Sequence, residues 1–230
     1  MKNIVITGAS RGIGRAIAVK LAEKDTHLFI HGRNTKDLAE TAALVKETAG
    51  RVTQILADFS TTGGCDKLVL EAGDEPFDVL VNNAGMAVIK TVEQLTLDNW
   101  NKTIAVNVTA PFIITQKLMR QMKKGSSIVN ILSTAARNVF TNWSSYCMSK
   151  HALRGFSDTL REELRPRGIR VIAVYPGSVD TAIWNTIPGE WPKEKMLKPE
   201  QVAAAVAFAL SRPDDTLIED ISLGHTVGRL

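Results

Sequence analysis

The sequence predicts a doubly wound α/β fold, a mostly parallel sheet with helices on both faces, built as one unit over residues 1–230. Three observations carry that expectation. Short β-branched runs alternate with longer segments whose apolar residues recur at helical spacing, a rhythm that implies strand–helix–strand crossovers. The runs are almost continuously apolar, as burial on both faces of a parallel sheet requires. Glycine or polar residues then follow one run after another, on the rim where such sheets bind ligands.

The first run, Asn3–Thr7, leads into "TGASRGIG" and a helical segment carrying Ile13, Ile17, Val19 and Leu21. The glycines of Gly8 to Gly14 stand as Gly-x-x-x-Gly-x-Gly. Glycine allows the sharp turn and close backbone approach that a pyrophosphate needs, and the following helix start offers free amides and a positive dipole end. The second run, His27–His31, ends in His31-Gly32-Arg33-Asn34. An NAD site would place a carboxylate near here for the ribose 2′-hydroxyl, but Asp25 comes too early and Asp37 lies inside the next helix. Arg11 and Arg33 are the cations on offer, and an arginine fork suits a 2′-phosphate. NADP(H) is therefore the expected cofactor, with NAD(H) as the lesser one.

The third run, Val52–Ala57, ends at Asp58; the fourth, Asp78–Asn82, opens into Asn83-Ala84-Gly85; the fifth, Ser127–Leu132, ends at Ser133. The sixth, Ile169–Tyr175, leads to Pro176-Gly177, and a seventh spans Glu219–Leu223. Leu160 with Leu164, and Val202 with Val206 and Leu210, read as buried helix faces. The chain divides into a cofactor half, about 1–130, and a catalytic and substrate-loop half, about 131–230.

"SSYCMSK" sets Tyr146 and Lys150 four apart, hence on one helical face. A nearby ammonium is expected to lower the phenol's pKa toward acid–base use, and Ser133 could hold a substrate oxygen beside it. Taken with "TGASRGIG", Asp58, "NNAG", "NVTAPF" and "PGSVDT", these motifs make the chain resemble the short-chain dehydrogenase/reductase family over essentially its whole length. The resemblance implies a seven-stranded Rossmann-like sheet and a catalytic tetrad of Asn107, Ser133, Tyr146 and Lys150. Cofactor contacts would come from Gly8, Ser10, Arg11, Gly12, Ile13, Gly14, Arg33, Asn34, Asp58 (adenine), Asn83, Ala84, Gly85, Tyr146, Lys150, Pro176, Gly177, Val179 and Thr181.

The implied reaction is hydride transfer between a nicotinamide and a carbonyl or alcohol carbon. Tyr146 would exchange the proton, Lys150 would hold ribose hydroxyls, and Asn107 would hold a water linking Lys150 to solvent. Phe140, Trp143, Ile183 and Trp184, with Ile187, Pro188 and Trp191 nearby, suggest an apolar or aromatic substrate body. A 3-oxoacyl thioester reductase is the alternative within the class, with Lys193, Lys195 and Lys198 as the basic cluster an acidic carrier would need. A cofactor-binding sensor or scaffold without turnover is the alternative outside it. A homodimer through the long helices, or a homotetramer, is expected. Leu132 stands where many members have a second serine, and "ISLGHTVGRL" replaces their usual ending.

Composition narrows the rest. A net charge of +4 without a Lys/Arg run argues against nucleic-acid binding, and no apolar run reaches the length of a membrane span. With no leader pattern at the start, a cytoplasmic location is expected. The two cysteines, Cys65 and Cys147, have neither disulfide nor metal-ligand spacing. Cys147 reads as packed in its helix, His31 as a strand end, and Asp180 as a local turn or cap acceptor.

Overall fold

Seven strands form one sheet: β1 (Lys2–Ile6), β2 (Thr26–Gly32), β3 (Arg51–Leu56), β4 (Val79–Asn82), β5 (Ser127–Ile131), β6 (Arg170–Pro176) and β7 (Asp220–Leu223). Each lies within one residue of its expected bounds. Their order is β3-β2-β1-β4-β5-β6-β7, and every neighbouring pair is parallel. The computed structural model describes residues 1–187 and 189–228. Pro188, Arg229 and Leu230 lie outside the described residues.

Alternate strand residues serve two cores, because successive side chains point to opposite faces. Ile4, Ile6, Leu28, Ile30, Val129 and Val174 pack with helices α1 (Gly12–Leu21), α2 (Thr35–Val45) and α7, the Pro199–Leu210 helix near the end of the chain. Val5, Phe29, Leu80, Ile128 and Val171 face the other side, against α3 (Thr62–Ala72), α5 (Ala110–Leu118) and α6 (Ser144–Leu164). The remaining helix, α4 (Leu97–Ile104), leads toward α5. Val19 departs from the expected apolar stripe: it sits on the solvent side of α1, 46% exposed.

Two local features position the site. Between α4 and α5 the chain makes a π-helical turn, Ala105–Thr109, in which Ala110 donates to the Ala105 carbonyl. Such a turn carries one residue too many for α-helical bonding and displaces the side chains that follow. In addition, α6 is tied to the sheet edge by Arg161, whose side chain is only 9% exposed. Its guanidinium donates to the carbonyls of Val171 (3.1 Å) and Glu219 (2.9 Å) and to Asp220 Oδ1 (3.0 Å), with Asp158 at 3.4 Å.

Removing that guanidinium leaves buried carbonyls unpaired, at a cost on the order of 2 kcal/mol. Arg161→Met should lower the thermal midpoint by roughly 4–8 °C in a chain of this size. Arg165→Ala, which breaks only exposed ion pairs with Glu162 and Glu219, should leave it nearly unchanged. Thermal unfolding followed by circular dichroism checks both.

Candidate active site

The ends of β1 and β4 are stitched together by side chains. Thr7 Oγ1 accepts from the amides of Asn83 (2.9 Å) and Ala84 (3.0 Å), and Asn83 Nδ2 donates to the carbonyls of Thr7 (2.9 Å) and Gly8 (3.0 Å). This closeness is what the glycines permit. Gly8 has φ +66°, and a Cβ there would lie 2.8 Å from Ala84 Cα; at Gly14 it would lie 2.2 Å from the Gly8 carbonyl oxygen. Gly14 therefore serves helix-to-turn packing and does not line the cavity. At the start of α1, Arg11 supplies no side-chain cap and no acid stands in the first turn, so those amides remain without a side-chain acceptor. A helix start of this kind, beside a backbone cradle without Cβ atoms, fits a pyrophosphate.

A cavity of about 1090 Å³ runs along the carboxyl ends of the strands. Gly8, Ser10, Arg11, Gly12, Ile13, Arg33, Asn34, Asn83, Ala84, Gly85, Ser133, Tyr146, Lys150, Pro176, Gly177, Val179 and Thr181 all line it, as do Phe140, Trp143, Ile183 and Trp184. Asp58 stands beside rather than in the wall: Arg33 lies 3.9 Å from it, both side chains are more than half exposed, and it accepts from the Ser60 amide at 2.9 Å. That amide, more than Arg33, holds its carboxyl below the ordinary aspartate value. Asn34 lines the cavity and also caps α2, accepting from the Asp37 amide at 3.0 Å. Asp37 falls in the first turn of that helix, as expected.

On the opposite side, α6 presents Tyr146 and Lys150 to the cavity. Lys150 is buried, donates to the Ile131 carbonyl at 2.9 Å, and stands 5.7 Å from the centre of the Tyr146 ring. Ser133 stands close enough to the Tyr146 phenol to act on its pKa, and its hydroxyl accepts from the Ala135 amide at 3.1 Å. The phenol's pKa is the opposite of the expectation: burial pushes it up to about 12, with Ser133 opposing. Burial also holds Lys150 down to about 8. In this arrangement desolvation outweighs the attraction between ammonium and phenolate, and it disfavours the charged form of each.

Asn107 does not reach the cavity. Within the π-helical turn its Oδ1 accepts from the Met86 amide, and its Nδ2 donates to the Met86 carbonyl and to Ser149 Oγ, each at 2.9 Å. Both amide hydrogens are thus committed, and only the second lone pair of Oδ1 is left to take the expected water. Ser149 passes the link on by donating to the Tyr146 carbonyl at 2.8 Å. Sequence reasoning missed Ser149 and also Arg15, which ties α1 to the carbonyls of Ser10 and Asp37 and to Thr41. Neither carries a local signal for the links to Asn107, Thr41 and Asp37, which lie more than 20 residues away.

The substrate side is aromatic. Trp143 packs edge-on to Tyr146 (centroids 5.5 Å) and lies 6.1 Å from Phe140 and 6.2 Å from Trp184, which in turn lies 4.7 Å from Trp191. Trp143 is the residue preceding the first turn of α6. Trp184 Nε1 donates to the Val179 carbonyl at 2.8 Å, joining this wall to the backbone beside the cofactor cleft. Asp180 is not a turn acceptor: Lys198 donates to it at 2.9 Å, and Lys193 lies at 3.8 Å. The segment after β7 also lines the cavity through Leu223, Gly224 and His225, because a parallel β7 ends on the same rim.

Among the described residues no His/Cys/Asp/Glu group could hold a metal, and no helix is long and apolar enough to cross a membrane. Cys147 is buried in α6, and burial raises its thiol pKa. Residues 2–190 match the family model described as short chain dehydrogenase. The sepiapterin reductase of Chlorobaculum tepidum is 34% identical over 99% of this chain and 98% of its own. A short-chain dehydrogenase from Burkholderia cenocepacia, solved in complex with NADP, is 31% identical with a TM-score of 0.85, covering 97% of this chain and 96% of its own. An alcohol dehydrogenase from the archaeon Thermococcus sibiricus, complexed with 5-hydroxy-NADP, is 30% identical with a TM-score of 0.88 over 100% and 99%. The stitched glycine turn and the Ser133–Tyr146–Lys150 cluster thus sit in a chain that belongs to the short-chain dehydrogenase/reductase family of oxidoreductases.

Proposed function

We propose that this protein is an NADP(H)-dependent carbonyl reductase, equivalently an alcohol dehydrogenase in reverse, acting on small carbonyl compounds with an apolar or aromatic body. The observation that carries the reading is one cavity lined by Arg11 and Arg33 and also by Ser133, Tyr146 and Lys150. Solved relatives bound to NADP and a 5-hydroxy-NADP support the cofactor. Arg11 and Arg33 would hold the 2′-phosphate, the first turn of α1 the pyrophosphate, and Lys150 the ribose hydroxyls. When bound, the nicotinamide supplies or accepts a hydride.

The chain's own residues supply the proton and the orientation. Tyr146 keeps its proton at neutral pH and can give it to the developing alkoxide, a contribution of ~10²–10⁴-fold. Ser133 fixes the same oxygen, and the Lys150 ammonium stabilises the phenolate left behind. Asn107 and Ser149 would hold α6 in register with the loop at Met86, so the Asn107 side chain acts on position. We assign the whole chain to one structural unit, since the cavity draws on both halves.

The aromatic wall of Phe140, Trp143, Trp184 and Trp191 favours an apolar body, because sugar hydroxyls buried against it would lack partners. The thioester alternative has less support. Two of its three lysines, Lys193 and Lys198, are already drawn to Asp180. A sensor without turnover would have no use for the Ser133–Tyr146 pair.

Four outcomes are expected. Tyr146→Phe should lower kcat for ketone reduction by ~10²-fold or more while leaving the Kd for NADPH nearly unchanged. In the unmodified enzyme kcat/KM should fall as pH rises past about 8, where Lys150 loses its charge; steady-state rates across pH check both. Arg33→Ala should weaken NADPH by roughly 10-fold or more, the scale of one charge-assisted hydrogen bond, and leave NADH nearly unchanged in a fluorescence titration. Equal affinity of the unmodified protein for the two cofactors would overturn the NADP assignment. Aromatic and medium-chain ketones and aldehydes should exceed polyhydroxylated carbonyls in kcat/KM, and Trp184→Ala should erode that difference; best activity on sugars would contradict the substrate class.

A further inference from the structure

His31 does more than end a strand. Its ring is buried at 2% exposure between three strand ends. Nδ1 accepts from the Gly8 amide at 3.1 Å, and Nε2 lies 3.0 Å from the Ala57 carbonyl oxygen. The ring also stacks on Phe59, with centroids 3.9 Å apart and planes 8° from parallel. An amide only donates and a carbonyl only accepts, so these partners require the neutral ring with its hydrogen on Nε2. The His31 main-chain carbonyl, in turn, accepts from the Ala9 amide at 2.7 Å. One residue thus holds both sides of the first glycine turn.

The constraint is tight. Gly8 is pinned at positive φ, with Ala84 too close for any Cβ. His31 supplies the opposing hold and turns the Gly8 amide into the strand layer, leaving the phosphates to the first turn of α1. His31 and Phe59 both line the cavity beside Arg33, at its adenosine end.

We propose that His31 is a positioning residue for the dinucleotide, setting the glycine turn through Nδ1 and the adenosine wall through its stack on Phe59, and that protonation of the ring releases the turn. The proposal rests on the cofactor reading given above and extends it to a residue that touches the turn. A doubly protonated ring would direct a second N–H at the Gly8 amide, so acceptor and turn would be lost together. Burial holds the ring neutral down to about pH 4. The charged groups facing it are Arg33, which favours the neutral ring, and Asp58, which favours the cation. Cofactor affinity should then be flat through neutral pH and fall as pH approaches that value. Stability falls over an earlier window, from about pH 6.5, where the unfolded chain takes the proton, down to about 4, where the folded ring does too.

The test is the Kd for NADPH and for NADH at neutral pH, well below each variant's melting temperature. His31→Phe keeps the stack and loses both nitrogens; His31→Asn restores an acceptor near the Nδ1 position. The Phe variant should bind both cofactors about 10-fold more weakly, the scale of an unpaired buried amide, with the NADPH/NADH ratio unchanged. The Asn variant, which keeps an acceptor but loses the stack, should recover part of that loss. Equal weakening in both variants, or no weakening in either, would overturn the proposal. So would an imidazole ¹⁵N spectrum of the unmodified protein showing the hydrogen on Nδ1, a result that stands even where a variant fails to fold. An unmodified protein that binds neither cofactor would instead overturn the cofactor reading beneath it.

Discussion

The architecture of the site depends on how closely two strand ends approach each other. β4 lies on the far side of β1 from β2, so the chain reverses its direction of build there and the crossovers leave in opposite directions. The resulting crevice is held at a fixed width by Thr7 and Asn83, whose side chains satisfy main-chain groups of the facing turn. A methyl group at Gly8 or Gly14 would force that crossing apart. Arg11 and Arg33 project from the β2 side of the crevice, and Ser133, Tyr146 and Lys150 from beyond β4.

The chemical end of the cavity is governed by desolvation. Tyr146 and Lys150 are both shifted toward their neutral forms, the phenol upward and the amine downward. A buried phenol that keeps its proton is suited to giving it to an alkoxide. The reverse direction, which needs a phenolate, must draw on Ser133 and on the Lys150 charge. The aromatic wall contributes to the same dryness, because Trp143 packs on Tyr146 and Trp184 closes on the Val179 carbonyl.

Much of this was legible in the sequence, for reasons that are themselves physical. Buried parallel strands must be apolar throughout, so their bounds emerged within one residue. Glycine at Gly8 and Gly14 advertised the close approach, and the four-residue spacing of Tyr146 and Lys150 placed both in the cavity. What escaped were features set by residues far apart in sequence. The commitment of the Asn107 amide depends on Met86 and Ser149, the ion pairing of Asp180 on Lys193 and Lys198, and the Tyr146 pKa on burial that no local pattern reports. The π-helical turn was also hidden, because no feature of the Ala105–Thr109 sequence separates a π-helical turn from an α-helical one. Trp143 lay one residue outside its helix, a boundary that spacing cannot resolve.

The most direct test of the central claim is the fate of a labelled hydride. The protein would be incubated with NADPH deuterated at the transferring position of the nicotinamide and an aromatic ketone, and the products examined by mass spectrometry. The account predicts an alcohol carrying one deuterium on the carbinol carbon, formed faster than with the NADH counterpart. Tight cofactor binding with no deuterium delivered to any ketone, aldehyde or thioester carbonyl would contradict it and favour a protein that senses the dinucleotide without turning it over.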